Sequence, residues 1–186
     1  MNNYKFLIVY IFILPISFNF LSCSDSNEID STIGKIVIKP DDPNEESINA
    51  TIISSDSNWT KSKVHFGRAR KYYEKFETLI DKKVIIEFFN TNGILTSTMI
   101  SDSGKIDDKT NDMYAYNNVL IHSLENKTIV IADSIGYFSN DKIFKSKSKI
   151  KLVDSIKFRE IEGIGFESDN ALQNYKIYDV SGISGR

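Results

Sequence analysis

The sequence predicts an all-β domain, an antiparallel β-jellyroll or open β-roll of stacked strand-turn-strand units, behind an N-terminal signal segment. Three observations predict it. Val, Ile, Phe and Tyr alternate with polar residues at the period of two that is typical of half-buried strands. Turn-forming residues interrupt these runs at short intervals. Apolar clusters centred on Val84, Val119, Ile150 and Val180 recur 35, 31 and 30 residues apart, which indicates a weak internal repeat.

Length and composition favour a single folded domain. The chain has 186 residues, of which 41% are hydrophobic and 26% are charged, enough for one core and too few for two of ordinary size. Its 23 basic and 25 acidic residues give a net charge of -2. Because nucleic-acid binding requires a basic surface, we expect no nucleic-acid partner.

Residues 1–22 have the layout of a bacterial signal peptide. A positively charged start is followed by an apolar run over residues 6–20, and polar sequence begins at Ser24. The apolar run of about 15 residues is shorter than the roughly 20 that a membrane-spanning helix needs, and Pro15 and Asn19 interrupt it. A cleaved signal is therefore favoured over a permanent transmembrane anchor.

Cys23, the single cysteine of the chain, follows this signal directly. The residues Phe20-Leu21-Ser22-Cys23 resemble the lipobox of bacterial lipoproteins, with Phe20 in place of the usual leucine. One cysteine forms neither an intramolecular disulfide nor a Cys-based metal site. Lipid attachment explains its position best, and an ordinary signal peptide and a short uncleaved anchor are the alternatives.

After the cysteine, residues 23–46 are expected to form a tether and residues 47–186 the folded domain. The tether carries two prolines and many charges around one short apolar cluster. The expected strands of the domain are residues 48–54, 59–68, 84–89, 95–101, 113–123, 128–132, 142–146, 149–153, 163–167 and 175–180.

Turns and one ambiguous segment separate the expected strands. The turn-forming residues lie at 92–93, 103–104, 125–127, 139–141 and 168–170. Residues 70–80 place apolar side chains close to one helical face. This segment is left open between a helix and a loop.

No catalytic signature stands out, and we expect no enzymatic activity, no metal and no cofactor. The two histidines, His65 and His122, lie in expected strands among apolar neighbours, and no nucleophile or zinc motif accompanies them. Asp107, Asp108 and Asp133 are interpreted as turn residues. Aspartate is favoured there because its side chain caps its own backbone.

Six segments together resemble the LptC family of lipopolysaccharide-export proteins. They are the strand after Trp59, residues 84–93, 95–104, 113–119 and 149–153, and the sequence Glu162-Gly-Ile-Gly-Phe-Glu-Ser-Asp169. The last segment is the most telling. No single motif is highly specific, but the order and spacing of all six segments are, and they cover roughly residues 50–182.

The resemblance implies a membrane-anchored component on the periplasmic face of the inner membrane of a Gram-negative-type bacterium. It implies a jellyroll whose apolar groove accepts the lipid A acyl chains of lipopolysaccharide. The implied partners are the permease subunits of the lipopolysaccharide-export ABC transporter at one edge and an LptA-like bridge protein of the same fold at the other. Many relatives keep a transmembrane helix where this chain has a lipobox-like sequence, which leaves the form of attachment open.

Alternation along the strands selects candidate residues for the lipid-binding groove. They are Val84, Ile86, Phe88, Val119, Ile121, Ile129, Ile131, Phe144, Ile150, Leu152 and Phe166. The core of any β-domain shows the same alternation. A structural or adhesion-type β-sandwich lipoprotein that binds no lipid is therefore the alternative.

The last strand is the expected edge toward the bridge protein. The candidates for this edge are Gly163, Gly165, Tyr175, Ile177 and Val180. Unpaired strand edges accept further strands, so an open edge favours strand addition between partners. The two glycines are expected to allow a backbone conformation or a close approach that a Cβ atom would block.

The lipobox-like sequence predicts a mature protein that begins at Cys23 and carries a diacylglyceryl group. Each buried CH2 of the acyl chains contributes roughly 0.8 kcal/mol, so two chains anchor a protein firmly. Mass spectrometry of the mature N-terminal peptide should show the modified cysteine. The modified peptide should disappear in Cys23→Ser and persist in Ser26→Ala, and an unmodified or retained N-terminus would contradict the assignment.

Overall fold

The structure, a computed structural model, describes residue 39 and residues 41–56 and 58–185. Cys23, the proposed signal peptide and most of the proposed tether lie outside the described residues. All strands belong to one compact unit, Asp41–Arg186. Within the part of the chain that the structure describes, no helix has the length and hydrophobicity of a membrane span.

Nine antiparallel strands form one sheet, in which each strand pairs with the next along the chain. They are β1 (Glu45–Asp56), β2 (Trp59–Tyr72), β3 (Glu77–Phe89), β4 (Leu95–Asp107), β5 (Met113–Ser123), β6 (Thr128–Phe138), β7 (Ile143–Asp154), β8 (Arg159–Asp169) and β9 (Tyr175–Gly185). Short turns suffice between antiparallel neighbours, which is why closely spaced turn residues predict this topology. The predicted all-β open roll is confirmed.

The segment left open between a helix and a loop, residues 70–80, is neither. β2 continues to Tyr72, a turn occupies residues 73–76, and β3 begins at Glu77. Tyr73 and Phe76, which completed the apparent helical face, are 49% and 48% exposed at this turn. Pairing with the neighbouring strands satisfies the backbone on both sides, so the tertiary structure overrides the local pattern.

One predicted turn and one predicted break between strands were wrong. Ser103-Gly104 lies within β4, and the expected strands 142–146 and 149–153 form the single strand β7. The pairing register shifts beside Ser103 and between Ser146 and Lys149. The small polar residues therefore mark β-bulges, which need the same backbone freedom as turns.

These bulges belong to a line of irregularities that crosses the sheet near the middle of strands β2 to β8. Along this line the register shifts once between each pair of neighbours from β2–β3 to β8–β9. The β3–β4 pair has a second shift at its hairpin end, between Phe88 and Phe89. In four strands, two buried positions flank the irregularity at a spacing of three residues. They are Phe66 and Ala69, Ser101 and Gly104, Ala132 and Ile135, and Gly163 and Phe166. Strict alternation would place one residue of each pair outside, so the bulges keep both halves of a strand facing one interior.

An aromatic triad shows that the sheet folds back on itself. The ring centroid of Phe88 on β3 lies 5.1 Å from that of Phe144 on β7 and 4.6 Å from that of Tyr137 on β6. β3 pairs with neither of these strands, so the contacts cross the interior. Burial raises the pKa of Tyr137 to about 12, which keeps its hydroxyl neutral in the core.

The loop between β8 and β9 fastens one rim of the roll. The hydroxyl of Ser97 donates to the carbonyl of Asn170 at 2.6 Å, and that of Ser123 donates to the carbonyl of Ala171 at 2.7 Å. Leu172, 1% exposed, packs into the core beside them. Because both serines are buried, these bonds satisfy polar groups that would otherwise be costly.

The aromatic triad predicts that Phe88 is critical for stability. Phe88→Ala should lower the free energy of unfolding of the mature protein by about 3–5 kcal/mol, because it leaves a cavity where two rings meet. Ile94→Ala is the matched control, since Ile94 is 60% exposed in a turn and should change stability by less than about 0.5 kcal/mol. Urea denaturation measures both, and equal effects would contradict the folded-back sheet.

Candidate lipid-binding interior and sheet edges

The interior of the roll collects nine of the eleven candidate groove residues. Each is at most 2% exposed, and all belong to one apolar cluster: Val84, Ile86, Phe88, Val119, Ile121, Phe144, Ile150, Leu152 and Phe166. Their predicted inward orientation is confirmed. In this structure they are covered by protein rather than open to solvent.

The prediction was wrong for Ile129 and Ile131. Ile131 is 43% exposed and Ile129 is partly exposed, because Val130 and Ala132 face the interior instead. Val130 opposes buried Ile121 on β5, and directly opposed residues of antiparallel strands share a face. Four consecutive apolar residues carry no alternation, so the register of this segment was not readable from the sequence.

A cavity of about 380 Å³ opens at the β1 end of the interior. We call it the mouth cavity. Its apolar walls come from five residues on β1, β2 and β4, namely Ala50, Ile52, Phe66, Ala69 and Ile106. Ala50 opposes Phe66 across the β1–β2 ladder, so β1 extends the inner surface of the roll. A cavity of this volume is in the range that binds small ligands.

Three polar residues at the rim of the mouth cavity pair with one another. The Thr78 hydroxyl donates to the Asp108 carboxylate at 3.0 Å, and the Lys71 ammonium lies 3.6 Å from the same carboxylate. Lys71, Thr78 and Asp108 therefore compensate one another at the margin, and the rest of the wall is part apolar and part polar, with Glu45, Ser47, Thr51 and Asn111 also lining it. The apolar part of the wall suits the apolar part of an amphipathic ligand.

Of the aspartates that were interpreted as turn residues, Asp107 caps a turn and Asp133 lies within a strand. The carboxylate of Asp107 accepts backbone hydrogen bonds from Lys109 at 2.9 Å and from Thr110 at 3.2 Å, and these bonds hold the pKa of Asp107 below its ordinary value. Its capping role is confirmed. Asp133 instead lies within β6, beside the register shift that interrupts β6 and β7.

His65 has structural partners on the outer face. Its Nδ1 lies 2.8 Å from the Thr51 hydroxyl and its Nε2 lies 3.2 Å from the Glu87 carboxylate. These side chains form a cross-strand polar row over β1, β2 and β3. Among the residues that the structure describes, no group of His, Cys, Asp and Glu is arranged to hold a metal ion.

The sheet ends in two unpaired edges, β1 and β9, within the described chain. Along β9, Val180 opposes Gly163 and Ile183 opposes Ile161, so both face the inner side. They are nevertheless 48% and 69% exposed. Apolar inner surface therefore continues to the β9 edge without being covered.

The two other β9 candidates are tied to the core. Tyr175 and Ile177 are partly buried and pack against the apolar cluster. A Cβ atom at Gly163 would lie 2.6 Å from Ile177 Cγ2 and 2.8 Å from the carbonyl oxygen of Asp179. Gly165 has a φ of +83°, a value that side chains disfavour. The predicted reasons for both glycines are confirmed.

Sequence reasoning missed the residues of the mouth cavity. Ile52 lies on β1 directly before Ile53, so alternation does not show which of the two faces the interior, and it is 36% exposed. Phe66 follows Val64 in plain alternation and could have been found. Ala69 and Ile106 lie beyond bulges, where alternation counted from the other half of the strand fails.

The fold and the interior define the class of the protein, an open antiparallel β-roll whose apolar inner surface is accessible at the sheet edges. A family model described as lipopolysaccharide-assembly, LptC-related, matches residues 14–183, and the chain belongs to this family. The family suggested by the six segments is thus confirmed. Membership supports a role in lipopolysaccharide transport at the periplasmic side of the cell envelope, as a transport component rather than an enzyme.

One solved structure that is similar to the chain is the crystal structure of LptH from Pseudomonas aeruginosa. It is described as the LptA-homologous periplasmic component of the conserved lipopolysaccharide transport device. The two chains are 14% identical, the match covers 63% of this chain and 82% of that chain, and the TM-score is 0.49. No curated protein matches this chain significantly.

The close approach at Gly163 predicts that this residue controls the docking of β9. Gly163→Ala should speed hydrogen exchange in residues 175–185, because the added methyl group forces β8 and β9 apart. Gly182→Ala is the matched control, since a Cβ there meets nothing within 4 Å. Hydrogen-exchange mass spectrometry separates the two, and unchanged exchange in Gly163→Ala would contradict the tight β8–β9 contact.

Proposed function

We propose that the protein accepts lipopolysaccharide from an inner-membrane ABC transporter and passes it to a periplasmic bridge protein of the same fold. The mouth cavity is the observation that carries this proposal. It exposes part of an otherwise buried apolar interior at one edge of the roll. The apolar inner face of β9 is exposed at the other edge, so both ends offer surface to a ligand or a partner.

The hydrophobic effect supplies the driving force for such a carrier. Acyl chains gain roughly 25 cal/mol for each Å² of apolar surface removed from water. Ile52 and Phe66 meet a chain first, because they line the accessible cavity. The nine buried groove candidates contact lipid once the facing halves of the sheet separate, and they otherwise form the resting core.

The sheet edges support the assignment of partners. We assign the β9 edge to the bridge protein and the β1 edge to the permease subunits of the transporter. Each edge strand presents unpaired backbone N–H and C=O groups that a strand of a partner can bind. Val180 and Ile183 would then be covered by apolar residues of the added strand, which joins the two inner surfaces.

We further propose that the protein is held at the inner membrane through a lipid on Cys23. The lipobox-like sequence supports this, and residues 23–46 would link the anchor to the domain. The alternative of a structural β-sandwich lipoprotein has one observation in its favour, the close packing of nine groove candidates. It predicts an interior that never takes up lipid.

In-cell photo-crosslinking from position 52 tests the carrier function. A photoreactive residue replacing Ile52 should form an adduct with lipopolysaccharide, detected by antibody, that depends on ATP hydrolysis by the transporter. Position 53 is the matched control, because Ile53 opposes Lys63 on the outer face and is 57% exposed. It should form no adduct.

Three results would count against the proposal or part of it. A folded, expressed protein with no adduct from position 52 or from position 66 would favour the structural lipoprotein. Equal adducts from positions 52 and 53 would show that lipid contacts the surface nonspecifically. ATP-independent adducts at position 52 alone would argue against delivery by the transporter while leaving lipid binding in place.

A further inference from the structure

The outer face of the sheet carries a second cavity, of about 290 Å³, over β5, β6 and β7. We call it the outer pocket. Three aromatic residues form much of its wall, Tyr114, Tyr116 and Phe138. The two charged residues that line it are both lysines, Lys145 and Lys147. An apolar aromatic surface with cations at its margin is unusual on a face that water would otherwise cover.

The outer pocket exists because β6 and β7 part at their bulges. Backbone pairing stops after Ala132 and resumes at Gly136 on β6. In the gap, the carbonyl of Ser134 accepts hydrogen bonds from the hydroxyls of Ser146 at 2.7 Å and Ser148 at 3.2 Å. The serine hydroxyls replace ladder bonds, so the opening is a stable part of the fold.

Gly136 allows the aromatic wall to close over the backbone. A Cβ atom there would lie 3.3 Å from both the Phe138 and the Tyr114 rings. The centroids of these rings are 6.1 Å apart and their planes meet at 82°, the edge-to-face geometry that aromatic pairs favour. Burial also raises the pKa of the Tyr114 hydroxyl, which keeps it neutral as a hydrogen-bond donor.

Two further contacts describe the charge at the margin. The Lys145 ammonium lies 5.8 Å from the centroid of the Phe138 ring and 3.4 Å from the Glu167 carboxylate. Lys147 is exposed, and no ion pair of it with a described residue is observed. An anionic ligand would therefore meet one exposed ammonium and a second that can exchange Glu167 for the ligand.

We propose that the outer pocket binds an anionic saccharide, a sugar ring that carries a phosphate or a carboxylate. The C–H face of a sugar ring packs against aromatic faces, which carry negative charge at their centres. Its anionic substituent pairs with the lysines, and its hydroxyls reach the tyrosine and serine oxygens. A plain acyl chain would contact only the aromatic rings. An acidic peptide would pair with the lysines and would not require the aromatic wall.

This inference rests on the proposed function for the source of the sugar, which is the saccharide part of the transported glycolipid. The β4–β5 hairpin joins the two sites, since Ile106 of β4 lines the mouth cavity and Tyr114 of β5 lines the outer pocket. One ligand class would thus be recognised twice. Its acyl chains enter the interior, and a saccharide is held outside.

Titration of the mature protein with glucose 6-phosphate, glucose and inorganic phosphate tests the outer pocket. NMR chemical shifts of the pocket residues should report binding of glucose 6-phosphate at least fivefold tighter than binding of either other probe. Phe138→Leu should weaken glucose 6-phosphate and glucose alike by about fivefold. Lys147→Gln should weaken glucose 6-phosphate only, and Lys151→Gln, on the same strand outside the pocket, should change neither.

Several outcomes overturn the inference. They are no shift of pocket residues with glucose 6-phosphate, binding of inorganic phosphate with equal strength, or equal effects of Lys147→Gln and Lys151→Gln in variants whose spectra show the native fold. The probes carry no acyl chain, so their binding is independent of lipid uptake. Absence of adducts from both position 52 and position 66, with intact glucose 6-phosphate binding, would defeat the carrier function and leave the saccharide site standing.

In-cell crosslinking then identifies the source of the saccharide. A photoreactive residue replacing Tyr116, which is 38% exposed, should form an adduct with lipopolysaccharide. Glucose 6-phosphate binding by the purified protein without this adduct in cells would overturn the glycolipid as the source. A free or polymeric saccharide would then be the ligand of the pocket.

Discussion

The line of β-bulges across strands β2 to β8 is the constraint on which the interior depends. A regular strand turns successive side chains to opposite faces, so an uninterrupted sheet of this length has one apolar face and little to cover it. Each bulge resets the alternation and bends its strand. Both halves of the strand then bury their side chains in one interior, and Phe88 reaches Tyr137 and Phe144 across it.

The closed centre and the open edges of the roll follow from the same topology. Each central strand has two paired neighbours, and the β8–β9 loop ties the rim to Ser97 and Ser123. Among the described strands, β1 and β9 have one neighbour each, so no described strand covers the inner surface beside them. Exposed sheet edges are normally an aggregation hazard. Under the proposed function, these edges are where a strand of a partner would continue the sheet.

Ion pairs on the outer face stabilise the sheet modestly but do not determine its fold. Lys149 pairs with Glu162 at 3.1 Å across β7 and β8, and such exposed cross-strand pairs contribute modestly. Asp81, at the β2–β3 bulge, accepts hydrogen bonds from two arginines. Hydrogen bonds from Arg68, with the added charge of Arg70, hold the pKa of Asp81 below its ordinary value. The arginines therefore brace a point where the ladder is interrupted.

Local chemistry made much of the architecture predictable. Alternation identified the strands, turn residues located most hairpins, and a steric requirement for glycine was recognised at positions 163 and 165. The inward orientation of nine groove candidates was predicted correctly. Each lies in a stretch, on one side of a bulge, where apolar and polar residues alternate clearly. Ile129 and Ile131 were not, since an unbroken apolar run leaves the phase of a strand undetermined.

The sequence by itself determined the all-β class, the family and most inward-facing residues, because these depend on the period of two and on turn preferences, which are local. Only the tertiary structure decided where bulges change the inward and outward alternation of side chains, which parts of the sheet contact each other, and where the interior opens. Ile52 lines a cavity because no described strand pairs with the outer edge of β1. Ser134 lies at a gap in the sheet because backbone pairing between β6 and β7 is interrupted there. Such features depend on what lies beside a residue in space, and neighbours in the sequence do not encode that.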